Sequence, residues 1–481
     1  MMRAAATRAL VKRVGRAIGT SMDVPIGLSR LLGVVGPWHP AVVRILRRDG
    51  LSLSALVAIA ARRRPDQVAL VDARGSVTFA ELERSVATLA AGLPSGVRRV
   101  EVRDVDRRDF IVGVCAALRR GADAVLLDPA EPRGPTGPPR TDRPRPSGGR
   151  RRGQLILVTS GSTGRPKGVE RGKIHAGQGV PITTLIRRLP LRSGRSMIVT
   201  PPLFHGFGLG FLALGWAFGM PVVLPGGPAD AADRLRRHPG AVLVGVPPVL
   251  ARIRRAGGGS PTAVVSGAGL LHPAVAAELS DGFGPVLFNL YGSSEEGWST
   301  IATPRDLAQA PGTVGRPAAG VRIEILGDDG HPVPAGTVGR VCVGSRLRFA
   351  GYTGGGDRPR IGVLADSGDL GRLDSAGRLF VVGRSDDLVV TGGENVHPAE
   401  VENVLLGHPR VAEVSVAGAP DLEFGARLVA TVVLHALAGV ATDAPDLATF
   451  AKARLPRSKV PREFRFATSL PTTASGKARR S

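Results

Sequence analysis

A run of hydroxyl side chains and glycines that ends in a lysine follows an apolar stretch at residues 155–158. It reads Thr-Ser-Gly-Ser-Thr-Gly-Arg-Pro-Lys-Gly over residues 159–168. Backbone N–H groups and hydroxyls in such a loop can surround phosphate oxygens, and a lysine adds a compact positive charge. It is not a Walker loop, because Pro166 stands where that pattern requires glycine. We predict a phosphate-binding loop whose candidate residues are Thr159, Ser160, Gly161, Ser162, Thr163, Gly164, Lys167 and Gly168.

Further polar elements follow this loop along the chain, where loops or turns are expected. They are Tyr-Gly-Ser-Ser-Glu at 291–295, Ser-Gly-Asp at 367–369, Gly-Arg-Ser-Asp-Asp at 383–387, Gly-Gly-Glu-Asn-Val at 392–396, Pro-Ala-Glu-Val-Glu at 398–402 and Pro-Thr-Thr-Ala-Ser-Gly-Lys at 471–477. The chain has only six lysines, of which two are Lys167 in the first element and Lys477 in the last. A compact ammonium, rather than the planar fork of arginine, therefore stands at both positions.

In this order the elements resemble the motifs of the adenylate-forming (AMP-binding) superfamily, which includes acyl-CoA synthetases, luciferases and adenylation domains of peptide synthetases. The resemblance covers about residues 55–480, and the branch is that of acyl-CoA synthetases or fatty-acid–CoA ligases. It implies that Tyr291, with Gly292 and Ser294, lies near the adenine and that Glu295 holds Mg²⁺. Asp369 would bind the ribose hydroxyls.

The resemblance also implies a two-step reaction that uses ATP, Mg²⁺ and CoA. Arg384 belongs to the nucleotide site, Lys477 is the catalytic lysine, and Asp386 is the hinge about which a mobile C-terminal domain turns. A carboxylate attacking the α-phosphate of ATP brings two anions together, so the site must supply positive charge and in-line geometry. Rotation of the C-terminal domain would then withdraw the lysine and admit the thiol, which makes the rotation a conformational gate.

The segment 201–208, Pro-Pro-Leu-Phe-His-Gly-Phe-Gly, resembles the form common in acyl-CoA synthetases. Amino-acid-activating relatives have an aspartate just after this phenylalanine, whereas His205 and Gly206 stand here and no acid occurs at 200–228. A buried substrate ammonium would be left unpaired, which is costly. We therefore predict a medium- or long-chain fatty acid or a related lipophilic carboxylate, with His205 and Gly206 at the substrate pocket. A structural, hydrogen-bonded His205 is the alternative.

Short apolar runs alternate with helical patterns through most of the chain, which predicts an α/β fold with parallel, helix-covered sheets. Residues 321–350 predict a β-rich subdomain with a hairpin turn at 327–330. We expect a basic N-terminal extension at 1–54, an adenylation domain at 55–385 and a small α+β C-terminal domain at 386–481. Residues 132–152, rich in proline and arginine, are expected to form a linker.

Residues 206–225 are uncharged and long enough to cross a bilayer. Five glycines and Pro221 divide them into a helix-like half and a β-branched half, so we predict a buried helix and strand instead. No secretory signal precedes Asp23, and two cysteines in 481 residues are typical of a reducing compartment. The expected location is cytoplasmic.

The formal net charge is +24. A charge of this size would suit binding to nucleic acid. Aromatic residues, however, make up 4% of the chain and do not interleave with the cations, so we expect no nucleic-acid partner. The excess is concentrated at 1–20, 132–152 and 452–480. Residues 1–20 are expected either to contact a membrane surface peripherally or to form a frayed terminus. At 452–480 we expect Arg454, Arg457 and Arg462 to attract the phosphates of CoA.

Two alternatives stay open within the same resemblance. One is an acyl-AMP ligase that delivers to a carrier protein, although no insertion that would obstruct domain rotation is evident near 320–380. The other is a degenerate nucleotide binder, since the interval between residues 126–129 and the phosphate loop is shorter than in the family and is filled by the linker. Ser294 replaces the usual threonine but keeps the hydroxyl.

Overall fold

The computed structural model describes residues 40–50, 52–129, 152–160, 166–171, 179–349, 351–353, 358–421, 423–435 and 444–471. The basic segment 1–20, almost all of the predicted linker 132–152, and Lys477 lie outside these ranges. The predictions made for them stay predictions.

The first part of the chain alternates helices and strands up to the hairpin of the predicted phosphate loop. Its elements are α1 (Pro40–Asp49), α2 (Leu53–Arg63), β1 (Val68–Asp72), β2 (Gly75–Thr78), α3 (Phe79–Gly92), β3 (Arg99–Arg103), α4 (Arg107–Arg119), β4 (Asp123–Leu127), β5 (Leu155–Ser160) and β6 (Pro166–Arg171). Val42 and Ile45 of α1 pack on Ala58 and Ile59 of α2. The predicted extension 1–54 therefore contains a helix that packs against the element following it.

The middle part continues the alternation. Its elements are α5 (Gly179–Arg188), β7 (Met197–Val199), α6 (Gly206–Ala217), β8 (Val222–Val223), α7 (Pro228–Arg237), β9 (Val242–Gly245), α8 (Pro247–Arg255), β10 (Ala263–Ser266), α9 (Pro273–Phe283), β11 (Leu287–Ser293), β12 (Gly297–Ala302), α10 (Pro304–Gln309) and β13 (Arg316–Pro317). Proline stands in the first turn of α7, α8, α9 and α10, where its missing N–H costs nothing.

These strands, with β1 and β2, form a nine-stranded sheet in the order β13-β12-β11-β10-β9-β7-β8-β1-β2. The pairs from β11 through β1 are parallel, whereas β2, β12 and β13 pair antiparallel. Alternate residues face two cores, since Met197 and Val199 pack on one side and Ile198 on the other. The predicted α/β class with helix-covered parallel strands is thus confirmed.

A second sheet holds the phosphate-loop strands. Its order is β16-β6-β5-β4-β3, in which β16 is a short strand later in the chain (Gly351–Tyr352). Strands β3, β4 and β5 are parallel, and β6 returns antiparallel to β5. The loop that we predicted as a phosphate site thus joins two antiparallel strands of one sheet rather than a strand and a helix.

The third sheet is the predicted β-rich subdomain. Its elements and the short strand β16 are β14 (Val321–Leu326), β15 (Gly339–Ser345), β16 (Gly351–Tyr352), β17 (Arg360–Ile361), β18 (Leu364–Leu373) and β19 (Leu379–Arg384). The hairpin predicted around residues 327–330 is present, because β14 and β15 pair antiparallel from Val321–Ser345 to Leu326–Arg340. Strand β18 then pairs with β15, β17 and β19.

The C-terminal part has its own small core. Its elements are β20 (Val389–Thr391), β21 (Glu394–Val396), α11 (Pro398–Leu406), β22 (Val411–Asp421), β23 (Gly425–Leu434), α12 (Ala444–Lys452), a 3-10 turn (Arg457–Lys459) and β24 (Glu463–Phe466). Apolar residues of α11, such as Val401 and Leu405, pack on Val416 and Ala430 of the three-stranded sheet β22-β23-β24. The α+β character predicted for this part is confirmed.

The uncharged segment 206–225 forms helix α6 and strand β8, as predicted. Trp216 of α6 is 2% exposed and donates its indole N–H to the carbonyl of Ala69 at 2.8 Å. Helix α6 therefore packs within the protein. Among the described helices, none combines the length and the apolar character that a membrane span needs.

Candidate nucleotide and carboxylate site

Tyr291 and Asp369 come from different sheets and meet at the predicted nucleotide site. The tyrosine hydroxyl donates a hydrogen bond of 2.6 Å to Oδ2 of Asp369, and the Ser367 hydroxyl accepts the backbone N–H of Asp369 at 3.1 Å. Burial raises the pKa of Asp369 above its ordinary value even though Tyr291 donates to it. Burial likewise raises the pKa of Tyr291. A buried carboxyl group with acceptor capacity to spare suits the hydroxyls of a ribose.

The turn between β11 and β12 positions Glu295. The hydroxyl of Ser293 accepts the backbone N–H of Glu295 at 3.3 Å, and Ser294 lies in the same turn. Gly292 is needed just before it, because a Cβ at this position would collide with the backbone carbonyl of Gly297 on the opposite strand. The close approach of the two strands thus holds the glutamate at the end of the sheet.

The carboxylate of Glu295 has two partners that the sequence did not identify. The Tyr352 hydroxyl donates to Oε1 at 3.0 Å, and Nη2 of Arg358 lies 3.3 Å from the same oxygen. Burial alone would raise the pKa of Glu295, but Arg358 and Tyr352 outweigh it and the pKa lies below its ordinary value. Glu295 is therefore ionised at neutral pH.

Strand β16 links Glu295 to the phosphate-loop hairpin. Tyr352 pairs with Val169 of β6, and the backbone N–H of Thr353 donates to the carbonyl of Gly168 at 2.7 Å. In the hairpin itself, the backbone of Thr159 is opposite that of Lys167. The loop residues Gly161, Ser162, Thr163 and Gly164 lie outside the described residues, as do the side chains of Thr159, Ser160 and Lys167.

Arg384 joins the predicted ribose acid to the predicted hinge. Its Nη1 lies 3.7 Å from Oδ1 of Asp369, while its Nε donates to Oδ1 of Asp386 at 2.9 Å. The hydrogen bond from Arg384 lowers the pKa of Asp386, so that carboxyl group is ionised as well. The structure thus brings together Tyr291, Asp369, Arg384 and Asp386, although Lys477 lies outside the described residues.

The predicted substrate side begins at His205, which precedes helix α6. The rings of Phe204 and His205 lie 4.3 Å apart, and His205 makes no side-chain hydrogen bond to cap the helix. Gly206 faces β5, because a Cβ on it would lie 3.2 Å from the side chain of Leu157. The helix therefore runs beside the strand that leads into the phosphate loop.

Aromatic side chains line the same region. Phe207 and Phe211 of α6 are in edge contact at 5.3 Å, and Phe207 lies so close to Gly267 that a Cβ there would be 2.9 Å from its ring. Trp298 of β12 faces Gly210, and its buried indole N–H has no hydrogen-bond partner within the described part of the chain. These aromatic side chains form an apolar wall that includes this unsatisfied donor.

The donor set at Glu295 fits Mg²⁺ delivered with a nucleotide. No group of three or more histidine, cysteine or acidic side chains that could hold a metal occurs among the described residues. Magnesium commonly uses one or two carboxylates together with substrate phosphates, and an ionised Glu295 at the nucleotide site meets that requirement.

The sequence did not identify three residues of the site, which are Arg358, Tyr352 and Trp298. A signal existed for Tyr352, because the chain has only two tyrosines and both donate to acids of this site. No comparable signal marks Arg358 in a chain so rich in arginine. Trp298 follows the Glu295 motif closely, but its unsatisfied N–H is visible only in the packed structure.

Comparison with known proteins agrees with this geometry. Residues 141–353 match the AMP-binding enzyme family, and residues 400–477 match the AMP-binding enzyme C-terminal domain. The sulfoacetate–CoA ligase of Cupriavidus necator is 33% identical over 72% of this chain and 68% of its own length. A feruloyl-CoA synthase of an Amycolatopsis species is 28% identical over 97% of this chain and 91% of its own.

Among solved structures, the o-succinylbenzoate CoA synthetase of Bacillus subtilis, in complex with its acyl-adenylate intermediate, superposes with a TM-score of 0.70. It is 25% identical and covers 88% of this chain and 96% of its own.

Proposed function

Because the chain belongs to the family of AMP-binding enzymes and is an acid–thiol ligase that uses ATP, Mg²⁺ and CoA, we propose that its substrate is a lipophilic carboxylate. The preferred substrate in this proposal is a medium- or long-chain fatty acid. Activation forms the acyl adenylate and pyrophosphate, and transfer of the acyl group to the thiol of CoA releases AMP.

The apolar wall formed by α6 is the observation that supports this substrate class. Phe207 and Phe211 lie in contact on the helix, and no acidic residue occurs at 200–228 to pair a substrate ammonium. A hydrocarbon body buried against this wall gains about 25 cal/mol per Å² of apolar surface. A relative named as a medium/long-chain-fatty-acid–CoA ligase of Mycobacterium tuberculosis is 32% identical over 67% of this chain and 59% of its own length.

An aryl carboxylate with a polar substituent is the second candidate, and Trp298 is the reason. Its buried N–H has no partner among the described residues, and a hydrocarbon chain would leave it so. An acceptor on the ring of the substrate would satisfy it. The relative named as a feruloyl-CoA synthase bears the name of such an acid, because ferulate carries ring oxygens that can accept a hydrogen bond.

In the proposed mechanism the described acids position the nucleotide. Asp369 would accept the ribose hydroxyls, with its carboxyl group oriented by Tyr291. Glu295 would hold Mg²⁺, and the bound ion would supply positive charge that screens the phosphates. The hairpin of residues 159–168 would hold the pyrophosphate, and Lys477 would neutralise charge at the α-phosphate. Asp386 would serve as the hinge between the two half-reactions.

A substrate panel tested on wild type and on Trp298→Phe separates the candidates. Carboxylate-dependent ATP–pyrophosphate exchange is measured with fatty acids of graded length and with aryl acids that carry or lack a ring acceptor. For a fatty acid substrate, we expect the highest kcat/KM with the longer chains and no effect of Trp298→Phe, which keeps an aromatic ring. For an acceptor-bearing substrate, Trp298→Phe should reduce kcat/KM roughly tenfold or more. A preference for short polar acids would contradict both the fatty acid and the aryl carboxylate as substrates.

A further inference from the structure

Arg358 lies within the nucleotide site, between its two buried acids. Its Nη2 lies 3.3 Å from Oε1 of Glu295. Its Nη1 donates to the backbone carbonyl of Ser367 at 2.5 Å and to that of Asp366 at 3.2 Å. Both residues lie in β18, separated from Asp369 only by Gly368, so one guanidinium connects the strand of the predicted ribose acid with the predicted metal ligand.

The guanidinium is held in place by more than its ion pair. The two backbone carbonyls anchor Nη1 independently of Glu295, and the side chain is only 18% exposed. Tyr352 donates to the same Oε1 that faces Arg358. A positive charge is therefore fixed at one oxygen of the carboxylate that would hold the metal ion.

We propose that Arg358 is a resident cation that competes with Mg²⁺ for Glu295, so that loading of the metal with the nucleotide requires the Arg358–Glu295 pair to separate. The proposal rests on Glu295 as the metal ligand and is independent of which carboxylate the enzyme activates. It assigns Arg358 a positioning role, because it acts on the metal through Glu295.

The physical basis is competition between two cations for one anion. A divalent ion and a guanidinium repel each other strongly at contact distance in a partly buried site. Oε1 of Glu295 already accepts a hydrogen bond from Tyr352 and faces Arg358. The phosphates of the nucleotide add the negative charge that allows the metal to enter. Metal without nucleotide should therefore bind weakly, and binding should become tighter when the arginine charge is removed.

Metal binding, rather than turnover, tests the proposal. Mn²⁺ is titrated into the full-length protein in the presence of α,β-methylene-ATP, without carboxylate or CoA, and free Mn²⁺ is followed by electron paramagnetic resonance. The variants are Arg358→Gln and Arg358→Met, which remove the charge with and without a remaining donor for the carbonyls. Arg340→Gln is the matched control, because Arg340 pairs with Asp366 at 3.6 Å in the same sheet but makes no contact with Glu295 among those described.

We expect the Mn²⁺ dissociation constant to fall roughly tenfold in both Arg358 variants and to stay unchanged in Arg340→Gln. Glu295→Gln should weaken Mn²⁺ binding. This variant tests Glu295 as the metal ligand separately from the competition by Arg358. If Glu295→Gln weakens Mn²⁺ binding while neither Arg358 variant binds Mn²⁺ more tightly, the competition is wrong but the metal site stands. If Glu295→Gln leaves Mn²⁺ binding unchanged, both assignments are overturned.

Discussion

The hydroxyl of Tyr291 donates to the carboxyl group of Asp369 at 2.6 Å, across the junction of two sheets. Asp369 is buried, and burial raises its pKa, so its ionised form is tolerated at a cost to the folded state. The proposed binding of the ribose hydroxyls requires an acceptor at this position, whereas stability alone would favour a neutral side chain. The two requirements can be separated experimentally.

Asp369→Asn should stabilise the protein at neutral pH and impair it as an enzyme. A raised pKa in the folded state means that stability is lost as the pH rises through that pKa. The asparagine does not ionise and avoids this loss of stability, so the variant should have a higher melting temperature than wild type at pH 7. The difference in melting temperature should vanish below about pH 4, where the aspartate of wild type is protonated in the folded and the unfolded state. Thermal melts across this pH range measure it.

The same variant should reduce ATP–pyrophosphate exchange by about ten- to a hundredfold, because the ribose hydroxyls lose a charged acceptor. Tyr291→Phe is the control, since it keeps the ring and the charge and removes only the orienting hydrogen bond. An Asp369→Asn variant that melts lower than wild type at pH 7 would contradict the account of burial.

Arg252 connects the two parts of the chain, since its Nε and Nη2 donate to the Glu413 carboxylate of β22, each at 2.7 Å. Arg252→Ala should destabilise the described arrangement of the two parts of the chain relative to other arrangements of these parts. Adenylation, measured by pyrophosphate exchange, and thioester formation from preformed acyl adenylate should then change in opposite directions, by about two- to fivefold.

Arg234→Ala is the matched control, because Arg234 pairs with Asp230 within one helix of the large domain at 2.9 Å. Equal loss of both half-reactions in Arg252→Ala would indicate a merely structural contact and would argue against coupling to domain rotation.

The basic segment of the C-terminal part offers a test of CoA recognition. Arg454 stacks on Phe450 at 3.7 Å and Arg462 on Phe424 at 3.6 Å, whereas the ammonium of Lys459 is already paired with Glu400 at 2.8 Å. Charge reversal at Arg454, Arg457 and Arg462 should raise the apparent KM for CoA about fivefold or more, and that for ATP much less. Arg465→Glu is the control, since Arg465 pairs with Glu463. Equal effects on both substrates would refute a specific role.

The two cysteines should not react with alkylating reagents in the native protein. Burial raises the pKa of Cys115 to about 12 and that of Cys342 to about 11. Because the thiolate is the reactive form, iodoacetamide at pH 8 should add no mass to the folded enzyme and should label both residues after denaturation. Labelling of the native chain would show that at least one thiol is accessible and that the packing described here opens readily.

Much of the fold could be predicted because local patterns and tertiary structure agree. The uncharged segment 206–225 divides at Pro221 into helix α6 and strand β8, as its glycines and β-branched residues indicate. The hairpin of β14 and β15 follows from alternation around a Gly-Asp-Asp-Gly turn. Each of these features is specified within about twenty residues of sequence.

The site was predicted less completely, because its remaining parts depend on distant contacts. Glu295 belongs to a recognisable motif, but Arg358 reaches it from a segment of irregular sequence between β16 and β17. Tyr352 reaches it because β16 pairs with β6, a pairing of two residues that no local pattern specifies. The unsatisfied N–H of Trp298 is a property of packing and is invisible in the sequence.

We infer that this chain joins a carboxylate to CoA through an acyl adenylate. Wild type and Lys477→Ala are incubated with ATP, Mg²⁺ and a panel of carboxylates, with and without CoA, and the products are identified by mass spectrometry. We expect wild type to form acyl-AMP and pyrophosphate without CoA, and acyl-CoA, AMP and pyrophosphate with CoA. Lys477→Ala should reduce adenylation by about a hundredfold or more. Absence of acyl-AMP and acyl-CoA from the wild-type reactions with every carboxylate would contradict it.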